Sequence, residues 1–243
     1  MSFELEGTGV IITGAAKGIG LAVARRFSEL GAKVSGWDID PSPMQSEPAL
    51  AHSVTADVTD EASVAAAYTA SKNALGSVSV LIANAGINGP TKPSWEYSLN
   101  EWDRVISVDL TGVFLSTKAV LPDMREVGYG RIIVMASVAA KEGNPGATPY
   151  GAAKAGAVGY VKGLARELQP SNISVNCIAP VITETDLFAE MDEEYIATKK
   201  SLIPMNRFCT GKDIADMTAW VASPRCSFTT GQIFDVTGGR ATY

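Results

Sequence analysis

Three glycines separate an apolar segment from an amphipathic one near the start of the chain. Residues 10–13, Val-Ile-Ile-Thr, favour a buried strand, and residues 19–30 have the spacing of a helix that Gly31 ends. The connecting segment, Gly14-Ala-Ala-Lys-Gly-Ile-Gly20, allows a sharp turn because glycine tolerates backbone angles that other residues avoid. Residues 33–38 are a second β-prone run, so we expect the chain to open with a βαβ unit of a parallel sheet.

Strand and helix patterns alternate along the rest of the chain. This alternation predicts an α/β fold of the Rossmann type, a doubly wound parallel sheet with helices on both faces. No change in composition marks a linker, so we expect residues 1–243 to form a single domain for dinucleotide binding and catalysis. The remaining strands are predicted at 53–56, 80–83, 131–135, 173–178 and 233–236, the helices at 60–75, 100–121, 148–168 and 213–222, and loops at 41–48 and 182–203.

Composition excludes several classes of protein. The formal net charge of −6 opposes binding to nucleic acid or to an anionic membrane, since both require a basic surface. No apolar run approaches the roughly 20 residues of a membrane-spanning helix, and the first residues do not resemble a signal peptide. The single histidine, His52, leaves little for a zinc hydrolase or a Ser-His-Asp enzyme. The three cysteines lack metal-binding spacing and are expected to be reduced thiols in a cytoplasmic protein that holds no metal.

The glycine segment is placed to bind the pyrophosphate of a dinucleotide. The helix that begins near Gly18 would direct its first amides and the positive end of its dipole at that anion. Three glycines could also form a tight turn without a ligand, but the strand before them and the helix after them favour dinucleotide binding. The cofactor-binding residues predicted here are Gly14, Lys17, Gly18, Ile19 and Gly20.

Asp38 ends the second predicted strand, about 20 residues after the first glycine, which is the separation expected of a ribose-binding carboxylate. Such a carboxylate accepts hydrogen bonds from the adenosine ribose and repels a 2′-phosphate, so Asp38 favours NAD. The alternative is a solvated turn residue beside Asp40. Lys17 opposes the NAD prediction because a cation in the glycine segment could pair with the phosphate of NADP.

The segment Tyr150-x-x-x-Lys154 provides a candidate acid/base. On a helix this spacing places both side chains on one face, one turn apart. The positive charge of Lys154 would stabilise the tyrosinate form, so that Tyr150 could exchange a proton with a substrate hydroxyl near neutral pH. Ser137 lies just past the strand before this helix, where ligands bind in open parallel sheets, and its hydroxyl could hold the substrate oxygen.

The same spacing occurs twice more, at Tyr68-x-x-x-Lys72 and Tyr195-x-x-x-Lys199. Spacing alone therefore does not identify the site. Only Tyr150 opens a helix directly after a strand-end loop that carries a serine, so we interpret the other two pairs as solvated helix faces.

Taken together, these segments resemble the short-chain dehydrogenase/reductase family from about residue 5 to the C-terminus. The resemblance implies an NAD(P)-dependent oxidoreductase in which Ser137 orients the substrate, Tyr150 is the acid/base, and Lys154 also binds the nicotinamide ribose. It further places Asp57 and Val58 against adenine, and the turn Asn84-Ala85-Gly86 behind the adenosine ribose. The segments that carry it are the glycine segment, Ala56-Asp57-Val58, Asn84-Ala85-Gly86, Ser137 and Tyr150-Gly151-Ala152-Ala153-Lys154.

The chain departs from the family pattern at three positions. Ala83 stands where a second Asn is usual, and Val181 replaces the glycine that normally follows Pro180. The family's active-site Asn falls at Asp109, which we expect to hold a water of the proton relay. The resemblance assigns four residues around and after this Pro-Val pair to the cofactor, namely Pro180, Ile182, Thr183 and Thr185.

Residues 141–145 and 234–243 resemble members that act as NAD-linked dehydrogenases of sugar-derived acids or as 3-oxoacyl carrier-protein reductases. We therefore expect Glu142, Asn144 and Arg240 to contact the substrate together with Ser137 and Tyr150. The favoured function is transfer of a hydride between NAD and a secondary alcohol or ketone, such as a sugar-derived acid or polyol. The alternatives are an NADPH-dependent 3-oxoacyl thioester reductase and a non-catalytic dinucleotide-binding protein.

Two further expectations concern assembly and substrate access. The helix from Tyr150 is rich in small residues between Gly151 and Gly159, which would let a second copy approach closely. The family uses this helix to form dimers and often tetramers, so we expect a homo-oligomer, with Arg240 near a neighbouring active site. Residues 182–203 are expected to form a lid over the substrate, and the acidic residues between Glu184 and Glu194 to be a solvated face of it.

Overall fold

The computed structural model describes residues 5–183, 197–198 and 200–243. Its seven strands form one parallel sheet in the order β3-β2-β1-β4-β5-β6-β7. This arrangement confirms the predicted doubly wound α/β fold. The strands are β1 Gly9–Thr13, β2 Lys33–Asp38, β3 His52–Thr55, β4 Val80–Ala83, β5 Tyr129–Met135, β6 Asn172–Pro180 and β7 Ile233–Val236.

Helices cover both faces of the sheet. The α-helices are α1 Gly18–Glu29, α2 Glu61–Leu75, α3 Leu99–Ile106, α4 Gly112–Val127, α5 Ala139–Glu142, α6 Thr148–Glu167 and α7 Gly211–Ala222. Strand β1 shows why two layers form, because side chains alternate between the faces of a strand. Val10 and Ile12 pack with α1 and α7, whereas Ile11 packs with α2, α4 and α6.

The helical stretch between β4 and β5 differs from its prediction. The sequence predicted a helix over 100–121 that ends near Pro122, but Pro122 lies inside α4, and the helix continues until Gly128 adopts a left-handed conformation with φ +74°. A π-helical segment, Ser107–Thr111, interrupts the stretch between α3 and α4. The sequence also placed 41–48 entirely in a loop, whereas Ser42–Met44 forms a 3₁₀ turn.

The combined stretch Leu99–Val127 has 29 residues and is long and apolar enough, by length and composition alone, to cross a membrane. Its side chains are nevertheless part of the core: Val113, Val120 and Met124 on α4 are buried with the residues of β4 and β5. This burial is the arrangement of a core helix.

The strand order reverses between β1 and β4, since the chain builds outward from β1 to β3 and then returns to β4 on the other side of β1. In doubly wound sheets ligands bind at this reversal, beyond the carboxyl ends of the strands. Thr13, Asp38, Ala83 and Met135 are the last residues of β1, β2, β4 and β5. The predicted site residues therefore come from neighbouring strand ends at one edge of the sheet.

Candidate active site

The three glycines of the connecting segment have different surroundings. A Cβ on Gly14 would lie 2.9 Å from Ala85 Cα, and one on Gly20 would lie 2.1 Å from the Gly14 carbonyl oxygen. These two glycines allow the segment to pack closely against itself and against the end of β4. Gly18 has φ +57°, and among the described residues, apart from its chain neighbours and the nearby backbone of α1, no heavy atom lies within 4 Å of its Cβ position. Its side of the segment is therefore open to a ligand.

The first turn of α1 lacks a side-chain cap within the described part of the chain. By contrast, Asp60 caps α2, and capping boxes begin α3 and α7. The first amides of a helix have no partner within the helix, and a cap or an anion normally satisfies them. The uncapped start of α1 beside the open face of Gly18 therefore fits the pyrophosphate of a dinucleotide.

Asp38 is held at the rim of this segment. Its Oδ2 accepts a hydrogen bond from the Ala16 amide at 3.0 Å, and its Oδ1 accepts one from the Asp40 amide at 3.3 Å. The side chain remains partly exposed, and each carboxylate oxygen can accept a further bond. Hydrogen bonds from Ser42 and, more weakly, the charge of exposed Lys17 hold the pKa of Asp40 below its usual value.

The turn after β4 ties the glycine segment to the sheet. Asn84 Nδ2 donates to the carbonyl oxygens of Thr13 and Gly14 at 2.9 and 3.1 Å. The Thr13 hydroxyl in turn accepts the amides of Asn84 and Ala85 at 3.0 and 2.9 Å. The structure thus assigns Asn84 a positioning contact, and it identifies Thr13 as a supporting residue that the sequence analysis did not single out.

The residues predicted to lie against adenine follow β3. Asp57 Oδ1 accepts bonds from the amide and hydroxyl of Thr59 at 2.9 and 2.7 Å. Val58 is buried and faces Gly112, where a Cβ would lie 2.8 Å from Val58 Cγ2. The local fold therefore fixes both residues at the same edge of the sheet as Asp38.

Lys154 lies buried beneath the end of β5. It is 4% exposed, and its Nζ donates to the Met135 carbonyl oxygen at 2.9 Å. The same Nζ lies 5.6 Å from the centroid of the Tyr150 ring. Ser137 is also buried, and its Oγ accepts the Ala139 amide at 3.1 Å. The end of β5 and the start of α6 therefore bring the predicted serine, tyrosine and lysine to one place.

Asp109 lies against the lysine. It is fully buried, its Oδ1 accepts the Ile87 amide at 2.7 Å, and its Oδ2 lies 3.3 Å from Lys154 Nζ. Burial raises the pKa of Asp109, and the charge of Lys154 and the Ile87 bond oppose that rise. A Cβ on Gly86 would lie 3.0 Å from Asp109 Oδ2 and 3.1 Å from Lys154 Nζ, so a side chain at Gly86 would crowd the pair.

Asp109 therefore has two kinds of contact. The carboxylate bonds a backbone amide, as a merely tolerated residue would, and it also pairs with the lysine. The π-helical segment Ser107–Thr111 carries it, and such segments are frequent at functional sites. No sequence pattern that we used signals the π turn.

The segment after β6 is only partly described. Pro180 ends β6, its carbonyl oxygen accepts the Val138 amide at 3.0 Å, and the Val181 amide donates to Val236 at 3.1 Å. Thr183 donates its hydroxyl to the Val181 carbonyl at 3.0 Å. Ile182 is half-buried. Thr185, the pair Tyr195 and Lys199, and most of the predicted lid at 182–203 lie outside the described residues.

Two of the predicted substrate contacts bind each other. Arg240 Nε and Nη2 lie 2.9 and 2.7 Å from Glu142 Oε2. In this chain the guanidinium is therefore already neutralised, and it would have to exchange Glu142 for an acidic substrate. Asn144 is partly exposed, and its carbonyl oxygen accepts the Ala147 amide at 3.0 Å, which shapes the turn that leads into α6.

Comparison with known proteins agrees with this geometry. A family model described as enoyl-(acyl carrier protein) reductase matches residues 14–241. A 2-dehydro-3-deoxy-L-rhamnonate dehydrogenase (NAD(+)) of Sphingomonas sp. is 42% identical, over 96% of this chain and 95% of the relative. The 3-oxoacyl-[acyl-carrier-protein] reductase of Aquifex aeolicus is 34% identical, over 98% of this chain and 99% of the relative.

A solved structure of similar fold is the 3-ketoacyl-(acyl-carrier-protein) reductase from Brucella melitensis complexed with NADH. It superimposes with a TM-score of 0.92 at 34% identity, over 98% of this chain and 100% of that one. The chain thus belongs to the short-chain dehydrogenase/reductase family. It is an NAD(P)-dependent oxidoreductase, and the predicted family and class of enzyme are confirmed.

Proposed function

We propose that this enzyme oxidises a secondary alcohol of a sugar-derived acid or polyol to the ketone, with NAD+ as hydride acceptor. The observation that carries the proposal is the buried ammonium of Lys154, which lies between the Met135 carbonyl and Asp109 and beside the ring of Tyr150. A fixed cation at a tyrosine ring is the arrangement that an acid/base tyrosine requires. The similarity to the rhamnonate-derived acid dehydrogenase supports the substrate class.

The described residues fit a nicotinamide dinucleotide. The uncapped amides of α1 and the open face at Gly18 would hold its pyrophosphate, and Asp38 would accept the hydroxyls of its adenosine ribose. Lys154 would bind the nicotinamide ribose. When bound, the nicotinamide ring supplies the hydride acceptor.

The chain's own groups would handle the proton. Tyr150 would take the proton of the substrate hydroxyl, and Lys154 would stabilise the resulting negative charge. Ser137 would hold the substrate oxygen and so orient the carbon that loses hydride. Asp109, bonded to the Ile87 amide, would hold a water next to Lys154 through which the proton leaves.

Cofactor preference tests the role of Asp38. We predict a kcat/KM at least about tenfold higher with NAD+ than with NADP+, a difference of about 1.4 kcal/mol. Asp38→Ala should lower the ratio of kcat/KM with NAD+ to kcat/KM with NADP+, mainly because NAD+ would bind more weakly. Asp40→Ala is the matched control, since Asp40 is fully exposed and bonds Ser42, and it should leave the ratio unchanged. Equal or reversed preference in the wild type would contradict the proposal.

A substrate panel separates the remaining functions. NAD+ with hydroxy acids and polyols should give turnover, and acyl thioesters with NADPH should not. The reverse pattern would establish a 3-oxoacyl thioester reductase, a function supported by the similarity to the reductases of Aquifex aeolicus and Brucella melitensis. Cofactor binding without turnover of any substrate would leave the non-catalytic alternative.

We further propose a cytoplasmic homotetramer with a single domain per chain and a lid at 182–203. Among the small residues of α6, Gly151, Ala153, Ala157 and Ala165 are buried against the chain's own fold. Four others are exposed at helical spacing and would admit a helix of a second copy. They are Ala152, Ala155, Gly159 and Gly163. Light scattering that showed a monomer at micromolar concentration would contradict this assembly.

A further inference from the structure

The short helix α5 follows Ser137 directly and depends on contacts from elsewhere in the chain. It spans only Ala139–Glu142, and its N-cap residue, Val138, makes no side-chain capping hydrogen bond. Isolated helices of this length are unstable in water, because the few hydrogen bonds of a single turn do not offset the conformational entropy lost in nucleating it. Its position must therefore come from tertiary contacts.

The C-terminal residues 235–243, which we call the C-terminal strap, provide those contacts. Lys141 Nζ lies 2.6 Å from Asp235 Oδ2 and also donates to the C-terminal oxygen of Tyr243. The Tyr243 hydroxyl donates to the Lys141 carbonyl at 2.9 Å, and Arg240 pairs with Glu142. Both charged side chains of α5 are thus held by the strap.

These contacts are not ordinary surface ion pairs. The side chain of Lys141 is 10% exposed and that of Asp235 is 25% exposed. Exposed pairs contribute little to stability because water screens them. When one partner of a sheltered pair is removed, an uncompensated charge remains away from water, and this is costly. Loss of Lys141 should therefore release α5 rather than leave it in place.

Helix α5 is joined to the catalytic serine. The Ala139 amide donates to Ser137 Oγ at 3.1 Å, and the Ala140 amide donates to the Ser137 carbonyl at 3.0 Å. A shift of the first turn of α5 therefore moves the hydroxyl itself. We propose that the C-terminal strap positions Ser137 through α5, with Lys141, Arg240 and Glu142 as positioning residues. This inference rests on the proposed role of Ser137 in holding the substrate oxygen.

The experiment combines amide hydrogen exchange with steady-state kinetics on the full chain. In Lys141→Gln, peptides that contain 137–143 should exchange faster, whereas peptides from α1 should not. We expect kcat/KM for the alcohol to fall about tenfold, since small displacements of a reacting group are costly, with the Kd of NADH unchanged. The matched control is Lys212→Gln, which removes the exposed pair of Lys212 with Asp216 at 2.5 Å on α7 and should behave as wild type.

A charge exchange tests the second contact. Arg240→Glu should lower kcat/KM and speed exchange at α5, and Arg240→Glu combined with Glu142→Arg should restore both. If Arg240 and Glu142 acted independently of each other, the double variant would not recover the kcat/KM or the exchange rate of the wild type. Unchanged exchange at α5 in Lys141→Gln, or faster exchange with unchanged kcat/KM, would overturn the inference. An inactive wild type would instead defeat the proposed function, and the exchange rates would still decide whether the strap holds α5.

Discussion

Two tyrosine–lysine pairs with the same sequence spacing have opposite surroundings in this protein. At Tyr150 and Lys154, the ammonium is buried beside the tyrosine ring, and the carboxylate of Asp109 contacts the lysine. At Tyr68 and Lys72, the carboxylate of Asp123 lies between them: it accepts the Tyr68 hydroxyl at 2.5 Å and pairs with Lys72 at 2.5 Å.

The difference lies in the group that contacts each tyrosine. Burial, followed by the bond to Asp123, raises the pKa of Tyr68 well above its ordinary value, so Tyr68 cannot release its proton near neutral pH. Lys72 is half exposed, and it forms an ion pair with Asp123 instead of acting on Tyr68. Tyr68 is thus a structural bridge between α2 and α4. The prediction of a solvated helix face holds for the exposed Lys72 but not for the partly buried Tyr68.

Removal of each hydroxyl is the strongest test of this comparison. Tyr150→Phe keeps the ring but removes the proposed proton carrier, so we expect kcat to fall by at least about two orders of magnitude, the contribution of a positioned acid/base. The Kd of NADH should stay nearly unchanged. Tyr68→Phe should retain wild-type kcat and lose only stability, which a urea titration would measure. If Tyr68→Phe lowered kcat and Tyr150→Phe did not, the proposed acid/base would be Tyr68 rather than Tyr150.

Asp109 and Asp123, the carboxylates beside the two lysines, offer a second comparison with a smaller expected effect. Asp109→Asn removes a negative charge 3.3 Å from Lys154, which should strengthen the pull of the lysine on Tyr150. We expect an active variant whose kcat/KM for alcohol oxidation rises at lower pH than in the wild type. Asp123→Asn removes the other carboxylate and should leave the profile unchanged.

Each result of the pH profile has its own meaning. An unshifted Asp109→Asn profile would show that Asp109 does not influence the acid/base. An inactive Asp109→Asn would instead show that the carboxylate itself takes part in proton transfer.

Stability should show the smallest of these effects. The pKa of Asp109 is raised from 3.8 in the folded protein, so folded Asp109 binds its proton more tightly than the unfolded chain does. The free energy of unfolding then falls as pH rises from the unfolded pKa through the folded one. Asp109→Asn should remove that penalty and stabilise the protein at neutral pH.

The gain should vanish below about pH 3.8, where both states of the wild type are protonated. Urea unfolding of both proteins at neutral and acidic pH measures this difference. A variant less stable than wild type at neutral pH would mean that the ion pair with Lys154 outweighs the cost of burial.

Local sequence signals identified much of the fold and of the site. The alternation of strand and helix patterns predicted the sheet, and the glycine segment and Tyr150-x-x-x-Lys154 predicted where the candidate site residues lie. These signals work because backbone turns, strand periodicity and helical faces depend on residues close in the chain. The end of α4 at Gly128 was missed because Pro122 is accommodated inside a helix that packs on the core.

The pairing of charges is what only the tertiary structure decided. Glu142 and Arg240 appeared in the sequence as two separate substrate contacts, and the fold joins them into one ion pair. The same holds for Tyr68 with Asp123 and for Lys154 with Asp109. Sequence identifies which side chains carry charge, but the order of strands in the sheet determines which distant segments meet. The degree of burial at these contacts then determines whether a charged side chain binds a ligand, shifts the pKa of a neighbouring group or holds a helix in place.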